Sequence, residues 1–203
     1  MTGKFITFEG SEGSGKSTQA RLLCNYLRKK SRAVVFLREP GSTEIGEKIR
    51  KILLDPANKR MTLVAEMLLY LASRAQLVEE VIKPALSKGQ FVICDRFLDA
   101  TLAYQGYGGG LDLGLIRSIG ALATQGIKPD LTLLMDIPPE EGLRRVGKNK
   151  DRIEQRKIAF HRRVRRGYFA LVRKEPRRMK IIPVQKFRNH TQEIIRRYVD
   201  KLL

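Results

Sequence analysis

The run Gly10-Ser11-Glu12-Gly13-Ser14-Gly15-Lys16-Ser17-Thr18 fits the spacing G-x-x-x-x-G-K-[ST] without a mismatch. Each fixed position has a chemical duty. Glycines let the backbone wrap until successive N–H groups point inward at phosphate oxygens. The lysine reaches the outer phosphates of a nucleoside triphosphate, and the hydroxyl after it is a ligand for Mg2+. The pattern carries weight only between a strand and a helix, and both are present. Residues 4–9 read as a short buried strand, and from Ser17 to about residue 30 Ala20, Leu22, Leu23, Tyr26 and Leu27 recur at helical spacing. Phosphate would then rest on a helix N-terminus.

A second pair, Asp95-Arg96, closes an apolar run. The carboxylate suits Mg2+ held through water, and the forked guanidinium suits a phosphate. Alone, such a dipeptide is more often a surface ion pair. Directly after a buried strand, in a chain with a phosphate loop, it reads as part of the same site. Further along lie Tyr70 and Arg74. The ring offers a π-face to a pyrimidine, and the arginine, one helical turn on and so on the same side, can donate to the base O4. Plain core packing is the competing reading for Tyr70 and Tyr104.

These residues, with Phe8-Glu9-Gly10, Arg38-Glu39-Pro40-Gly41, Leu53-Leu54-Asp55, Tyr104-Gln105-Gly106, Pro129-Asp130-Leu131 and Asp151-Arg152-Ile153-Glu154, follow one order at compatible spacing. The chain resembles the thymidylate kinases from about residue 5 to residue 168. The resemblance implies a P-loop kinase fold, transfer of the γ-phosphoryl of ATP to dTMP with Mg2+, a role in dTTP biosynthesis, and a homodimer. It implies that Arg38 and Arg96 grip the dTMP phosphate, that Glu12 reaches the sugar 3′-hydroxyl, and that Thr101, Tyr104 and Gln105 line the nucleoside pocket. Ser17 and Asp95 would hold the metal. Members of the family carry a catalytic cation either in the phosphate loop or in the lid. Gly13 leaves the loop without one, which implies the bacterial type with a lid-borne cation supplied by Lys148, Lys150 or Arg152. Lysine lacks the planar fork of the arginine that relatives often place in the lid. Arg144 and Arg145, at the base of the lid, would face the adenine of ATP or pack on the helix. Ala100 stands where relatives often have a hydroxyl.

The elements that must position these groups can be read from apolar runs at 4–9, 33–38, 91–95, 131–136 and 179–184, separated by helix-patterned sequence. Such alternation predicts an α/β fold, a mostly parallel five-stranded sheet with helices on both faces. The runs Phe91-Val92-Ile93-Cys94 and Leu131-Thr132-Leu133-Leu134-Met135 are apolar on both faces, as central parallel strands require. Ligands in such folds bind beyond the carboxyl ends of strands, where Glu9, Arg38, Asp95-Arg96 and Asp136 fall. Residues 140–154 are polar, basic and broken by glycine, and read as a mobile cationic lid that excludes water during phosphoryl transfer.

With 203 residues and 42% apolar content, the chain reads as one domain over 1–203, without linker or repeat. No apolar run approaches the roughly 18 residues of a membrane span, and the N-terminal run does not suit a signal peptide, so a cytoplasmic protein is expected. Cys24 and Cys94 lack metal or CxxC spacing and read as reduced core residues. The net charge is +19, and about half of the 40 Lys and Arg lie from residue 140 onward. Arg162, Arg163, Arg165, Arg166, Arg177, Arg178, Arg196 and Arg197 alternate with apolar residues, as exposed faces of amphipathic helices do. A nucleic-acid partner is not expected beyond non-specific attraction, because no RNP, KH or zinc-finger signature accompanies the charge. Two readings compete with dTMP kinase: another nucleoside-monophosphate kinase, and an ATP-binding nucleic-acid protein.

Overall fold

The computed structural model describes residues 3–203. Strands β1 (Lys4–Gly10), β2 (Val34–Arg38), β3 (Phe91–Asp95), β4 (Leu131–Asp136) and β5 (Met179–Pro183) form one sheet in the order β2-β3-β1-β4-β5. Every neighbouring pair is parallel, so the sheet expected to be mostly parallel is wholly so. The chain returns between strands through helices α1 (Lys16–Lys29), α2 (Glu44–Leu54), α3 (Leu63–Leu77), α4 (Lys83–Ser87), α5 (Leu98–Thr101), α6 (Leu113–Thr124), α7 (Pro139–Val146) and α8 (Ile158–Lys174), and α9 (Arg188–Val199) follows β5. A π-helical turn, Val78–Ile82, joins α3 to α4, and another, Leu102–Gly108, prolongs α5.

Strand periodicity divides the core. Ile6, Phe8, Ile93, Leu133 and Met135 meet Leu23 and Leu27 of α1 and Ile195 and Val199 of α9 on one face. On the other, Phe5, Val92 and Cys94 pack with Leu77 of α3 and the first π-helical turn, and Leu134 packs with α8 through Tyr168 and Leu171. Each such aliphatic side chain contributes about 1.5–3 kcal/mol by burial. Both cysteines are free and buried in these layers, as their spacing predicts.

Register gathers the site. With β3 between β2 and β1, Arg38 aligns with Asp95 and Asp95 with Phe8, so three strand ends far apart in sequence lie side by side. The helix carrying Tyr70 and Arg74 is held at its start by Thr62, whose hydroxyl accepts from the Ala65 N–H at 3.2 Å, a cap worth about 1 kcal/mol.

The segment expected to be a mobile cationic lid is half helix. α7 has Glu140 and Glu141 in its first turn and Arg144 and Arg145 in its last, charges that suit the helix dipole. Residues 151–156 are also tied down: Asp151 Oδ1 accepts from the N–H groups of Ile153 and Glu154, and the Arg152 N–H donates to the Leu54 carbonyl. Between them lie residues 147–150, where neither lysine side chain has a hydrogen bond or ion pair among the described residues.

The basic C-terminal third is largely exposed, as its pattern suggests, at Arg162, Arg163, Arg166, Arg177 and Arg197, but several of its arginines are paired. Arg165 makes a bidentate pair with Asp136, Arg162 pairs with Glu140, and Arg163 donates to the Gly108 carbonyl. Arg178 lies largely inside, on Asp99 and Thr132. Asp136 sits at its strand end but is occupied by Arg165 instead of facing the cleft.

Candidate active site

β1 hands the chain to α1 through a loop whose glycines are geometrically required at two places. Gly10 has φ 138°, and a Cβ there would lie 2.3 Å from the Met135 carbonyl oxygen. Gly13 has φ 64°, and its Cβ would lie 2.1 Å from the carbonyl oxygen of Gly142 in α7, while a Cβ on Gly142 would lie 2.1 Å from that of Glu12. Loop and lid helix therefore touch backbone to backbone. α1 begins without a side-chain cap and without an acidic residue in its first turn, which leaves its N–H groups for an anion.

Lys16 is folded back into the loop. Its Nζ donates to the carbonyls of Ser11 at 2.8 Å and Gly10 at 3.2 Å and to Ser14 Oγ at 3.3 Å. Burial, aided by the nearby charge of Arg96, pushes its pKa down to about 8. A phosphate would supply the negative partner that the carbonyls only approximate. Ser17 Oγ donates directly to Asp95 Oδ2. A hydroxyl and a carboxylate in contact at a strand end are hard oxygen donors of the kind Mg2+ accepts alongside phosphate and water, so the pair fits that ion.

Arg96 follows at φ 73°, a left-handed conformation that non-glycine residues hold only where surroundings impose it. Here its N–H is fixed on the Phe8 carbonyl at 2.9 Å. The guanidinium reaches the Gly10 carbonyl at 3.0 Å, Glu12 at 2.8 Å, and the phenols of Tyr104 at 3.0 Å and Tyr168 at 3.3 Å. Burial opposes ionisation of Glu12, but Arg96, Lys16 and the Tyr104 hydroxyl outweigh it and hold the carboxyl down at about 2. Beneath them Glu9 is wholly buried and accepts from the Phe97 N–H and the Tyr168 hydroxyl. Burial, reinforced by Asp99, raises its pKa to about 8.

A cleft of about 440 Å3 opens over these groups. Its walls include Glu12, Gly13, Gly15, Lys16, Ser17 and Thr18 from the loop, Asp95 and Arg96 from β3, and Arg38, Tyr70, Arg74, Thr101, Tyr104 and Gln105, so the sequence-derived phosphate and nucleoside residues converge on one space. Arg74 is its most constrained member. Nε donates to Glu39 at 2.7 Å, Nη2 contacts Glu39 at 2.6 Å and donates to the Phe97 carbonyl at 3.0 Å, and Nη1 donates to Thr101 at 3.0 Å. That leaves one Nη1 N–H for a ligand. Burial raises the Glu39 pKa, and Arg74 works against it. Arg38 is half exposed and chelated by Glu47, with both oxygens 3.1 Å from Nη2.

Other expected residues stand outside the walls. Gly10, Ser11 and Ser14 form the loop behind the cleft, and Arg144 is exposed on α7. Arg145 lines the cleft while paired with Glu141. Of the three lid cations, Lys148 and Lys150 are solvent-facing or half-buried and do not line it, and Arg152 is held by Glu66 at 2.6 Å and by the Leu53 carbonyl at 2.8 Å. Sequence reading missed Arg50, which lines the cleft and donates to the Pro40 carbonyl at 2.9 Å, and the wall residues Asp151, Ile153 and Glu154 were seen only as a motif. Arg50 carries no signal of its own, being one of several basic residues on α2.

Comparison with known proteins bears on the same residues. The family model for thymidylate kinase matches residues 8–195. Thymidylate kinase of Symbiobacterium thermophilum is 48% identical over 98% of this chain and 94% of its own length, and that of Caldanaerobacter subterraneus subsp. tengcongensis is 52% identical over 90% and 88%. The crystal structure of thymidylate kinase from Ehrlichia chaffeensis superposes with a TM-score of 0.81 at 33% identity, covering 98% of this chain and 99% of that one. A phosphate loop, a strand-end Asp-Arg pair and an arginine-floored pocket thus occur together in a chain that matches these proteins almost end to end, and it belongs to the thymidylate kinase family.

Proposed function

We infer that this chain transfers the γ-phosphoryl of ATP to dTMP, giving dTDP and ADP. The observation that carries the reading is the single cleft lined both by the phosphate loop with Asp95 and by Tyr70, Arg74, Thr101 and Gln105. Phosphoryl transfer asks a protein for position and charge more than covalent chemistry. Lys16 exchanges its loop carbonyls for phosphate oxygens. Ser17 and Asp95 would hold Mg2+, which would supply positive charge to the transferring phosphoryl. Arg38 and Arg96 hold the acceptor phosphate in line, Glu12 as an anion accepts from the sugar hydroxyl, and Tyr70 stacks on the pyrimidine. The free Nη1 N–H of Arg74 meets a base carbonyl, which a cytosine amino group cannot satisfy. Lys148 or Lys150 supplies the lid cation, because Arg152 is already paired. Arg145, which lines the cleft, faces the nucleotide base, whereas Arg144 stays on the exposed side of α7.

The enzyme works as a homodimer in the cytoplasm. Supporting the dimer, Val64 and Leu68 on α3 and Leu115 and Leu122 on α6 form exposed apolar stripes on helices that pack together, with Leu122 80% exposed. Among the described residues no helix is long and apolar enough to cross a membrane. A coupled ADP-release assay with dTMP, dUMP, dCMP and AMP in turn tests the reading, and preference for any monophosphate other than dTMP overturns it.

A further inference from the structure

We propose that Glu66 is a positioning residue that couples the acceptor pocket to the lid, so that dTMP and ATP strengthen each other's binding through it. The inference rests on the function proposed above. Glu66 lies on α3, one helical turn before Tyr70, and its side chain is completely buried. Oε1 accepts from Gln105 Nε2 at 2.8 Å, on the nucleoside wall. Oε2 takes two cations, Arg152 Nη1 and Arg156 Nη2, each at 2.6 Å. One carboxylate therefore joins the pocket wall to both ends of the 152–156 segment, whose Ile153 and Glu154 line the cleft.

Burying an anion with two arginines is a poor route to stability, since removing three ionic groups from water offsets most of their attraction, and packed apolar residues of similar volume do as well or better. What the cluster supplies is position. A dTMP that orients Gln105 and Tyr70 acts on the carboxylate that holds the lid segment, and through Arg152 and Arg156 it sets where Ile153 and Glu154 stand when ATP arrives. Arg152 Nη2 is buried with no partner among the described residues, a donor held at the inner edge of the lid. Linkage makes the effect reciprocal: whatever dTMP does for ATP affinity, ATP does for dTMP.

The test is calorimetric titration of a non-hydrolysable ATP analogue with Mg2+, with and without saturating dTMP, on the whole protein. The wild type is expected to bind the analogue about fivefold more tightly or better with dTMP present. In Glu66→Gln, which removes the negative charge the two arginines share, the ratio is expected to fall below about twofold and kcat about tenfold or more, with KM for dTMP within about threefold. Should that variant fail to fold, Arg156→Ala, at the partly exposed edge of the cluster, is read the same way and is expected to lose at least half of the ratio, while Arg156→Lys restores part of it. A wild-type ratio near one overturns the proposal, as does an unchanged ratio in every variant that folds. Failure of the wild type to turn over dTMP at all would overturn the proposed function, whereas normal turnover with unchanged coupling overturns only the role of Glu66.

Discussion

Replacing Arg74 by Met should cost the fold far more than it costs a single base contact. Arg74 and Glu39 are buried together, their side chains 1% and 2% exposed. Removing the cation strands the carboxylate, leaves the Thr101 hydroxyl without its donor, and leaves the Phe97 carbonyl with the Ala100 N–H alone. Breaking a buried pair in this way costs about 3–5 kcal/mol. For a domain of this size each kcal/mol moves Tm by about 2–4 °C, so the loss should be about 6–20 °C. The sign with pH follows from Glu39. Its folded pKa already lies above the unfolded value, so the stability linked to its protonation is present below the unfolded pKa and lost as pH rises through the folded one. Without Arg74 the folded pKa climbs further, and the deficit of the variant should be larger at pH 8 than at pH 5. Thermal unfolding by circular dichroism of wild type, Arg74→Met, Glu39→Gln and the double variant at both pH values measures this. The double variant should recover at least half of the loss, because no charge is left stranded. A Tm drop under about 2 °C for Arg74→Met, or a double variant worse than the sum of the singles, would refute the buried-pair account. The same reasoning means that base preference must be measured on the double variant, where dTMP use should fall and the gap to dCMP narrow.

Further expectations follow from other groups. Lys16, with a pKa of about 8 in the free protein, should take up a proton when triphosphate binds: about 0.5 per site at pH 8 and about 0.1 at pH 7. Calorimetry in buffers of different ionisation enthalpy reads this uptake, and Lys16→Met should abolish it together with turnover. Neutralising Lys148 and Lys150 together should lower kcat about tenfold to a hundredfold with little change in KM for dTMP, and steady-state kinetics showing wild-type kcat would return both lysines to the solvated surface. Glu12, held at about 2, contributes stability that is present above the unfolded carboxylate value and is lost as pH falls from about 4.5 toward 2, an acid limb that Glu12→Gln should flatten in equilibrium unfolding. Leu68→Asp with Leu122→Asp should leave a monomer by sedimentation equilibrium if the α3 and α6 stripes form the dimer face.

The fold was legible because its signals are periodic and local. Fully apolar strands, a glycine loop and helical spacing place all five strands within a residue or two and call for helices on both faces of the sheet. Site residues at strand ends were legible for the same reason: once Asp95 closes a buried strand, register puts it beside Arg38 and Phe8. What the residues alone did not reveal is pairing. Arg152 and Arg178 have the composition of surface cations, and only the packing of α3 against the lid segment and of α5 against β4 gives them buried carboxylates. Arg50 was invisible because a helix with several charges looks alike from any face until its neighbours are known, and Glu66 because a lone carboxylate on an apolar helix names no partner in the sequence. The helical half of the lid was hidden by Gly142, which reads as a breaker in isolation and is required by contact with the loop.

Tyr168 gives the site a dependence on the order in which the chain becomes available. Its hydroxyl reaches Glu9 across 159 positions and Arg96 across 72, so the floor of the cleft closes only after α8 has docked. A chain with β1 to β4 formed but α8 undocked would lack the Tyr168 hydroxyl on Glu9 and leave Arg96 one partner short. Nucleotide therefore has nothing fully formed to hold until the fold is complete. It acts as a selective ligand for the finished state, and saturating it at a hundred times its dissociation constant adds about 2.7 kcal/mol that no partly folded chain receives.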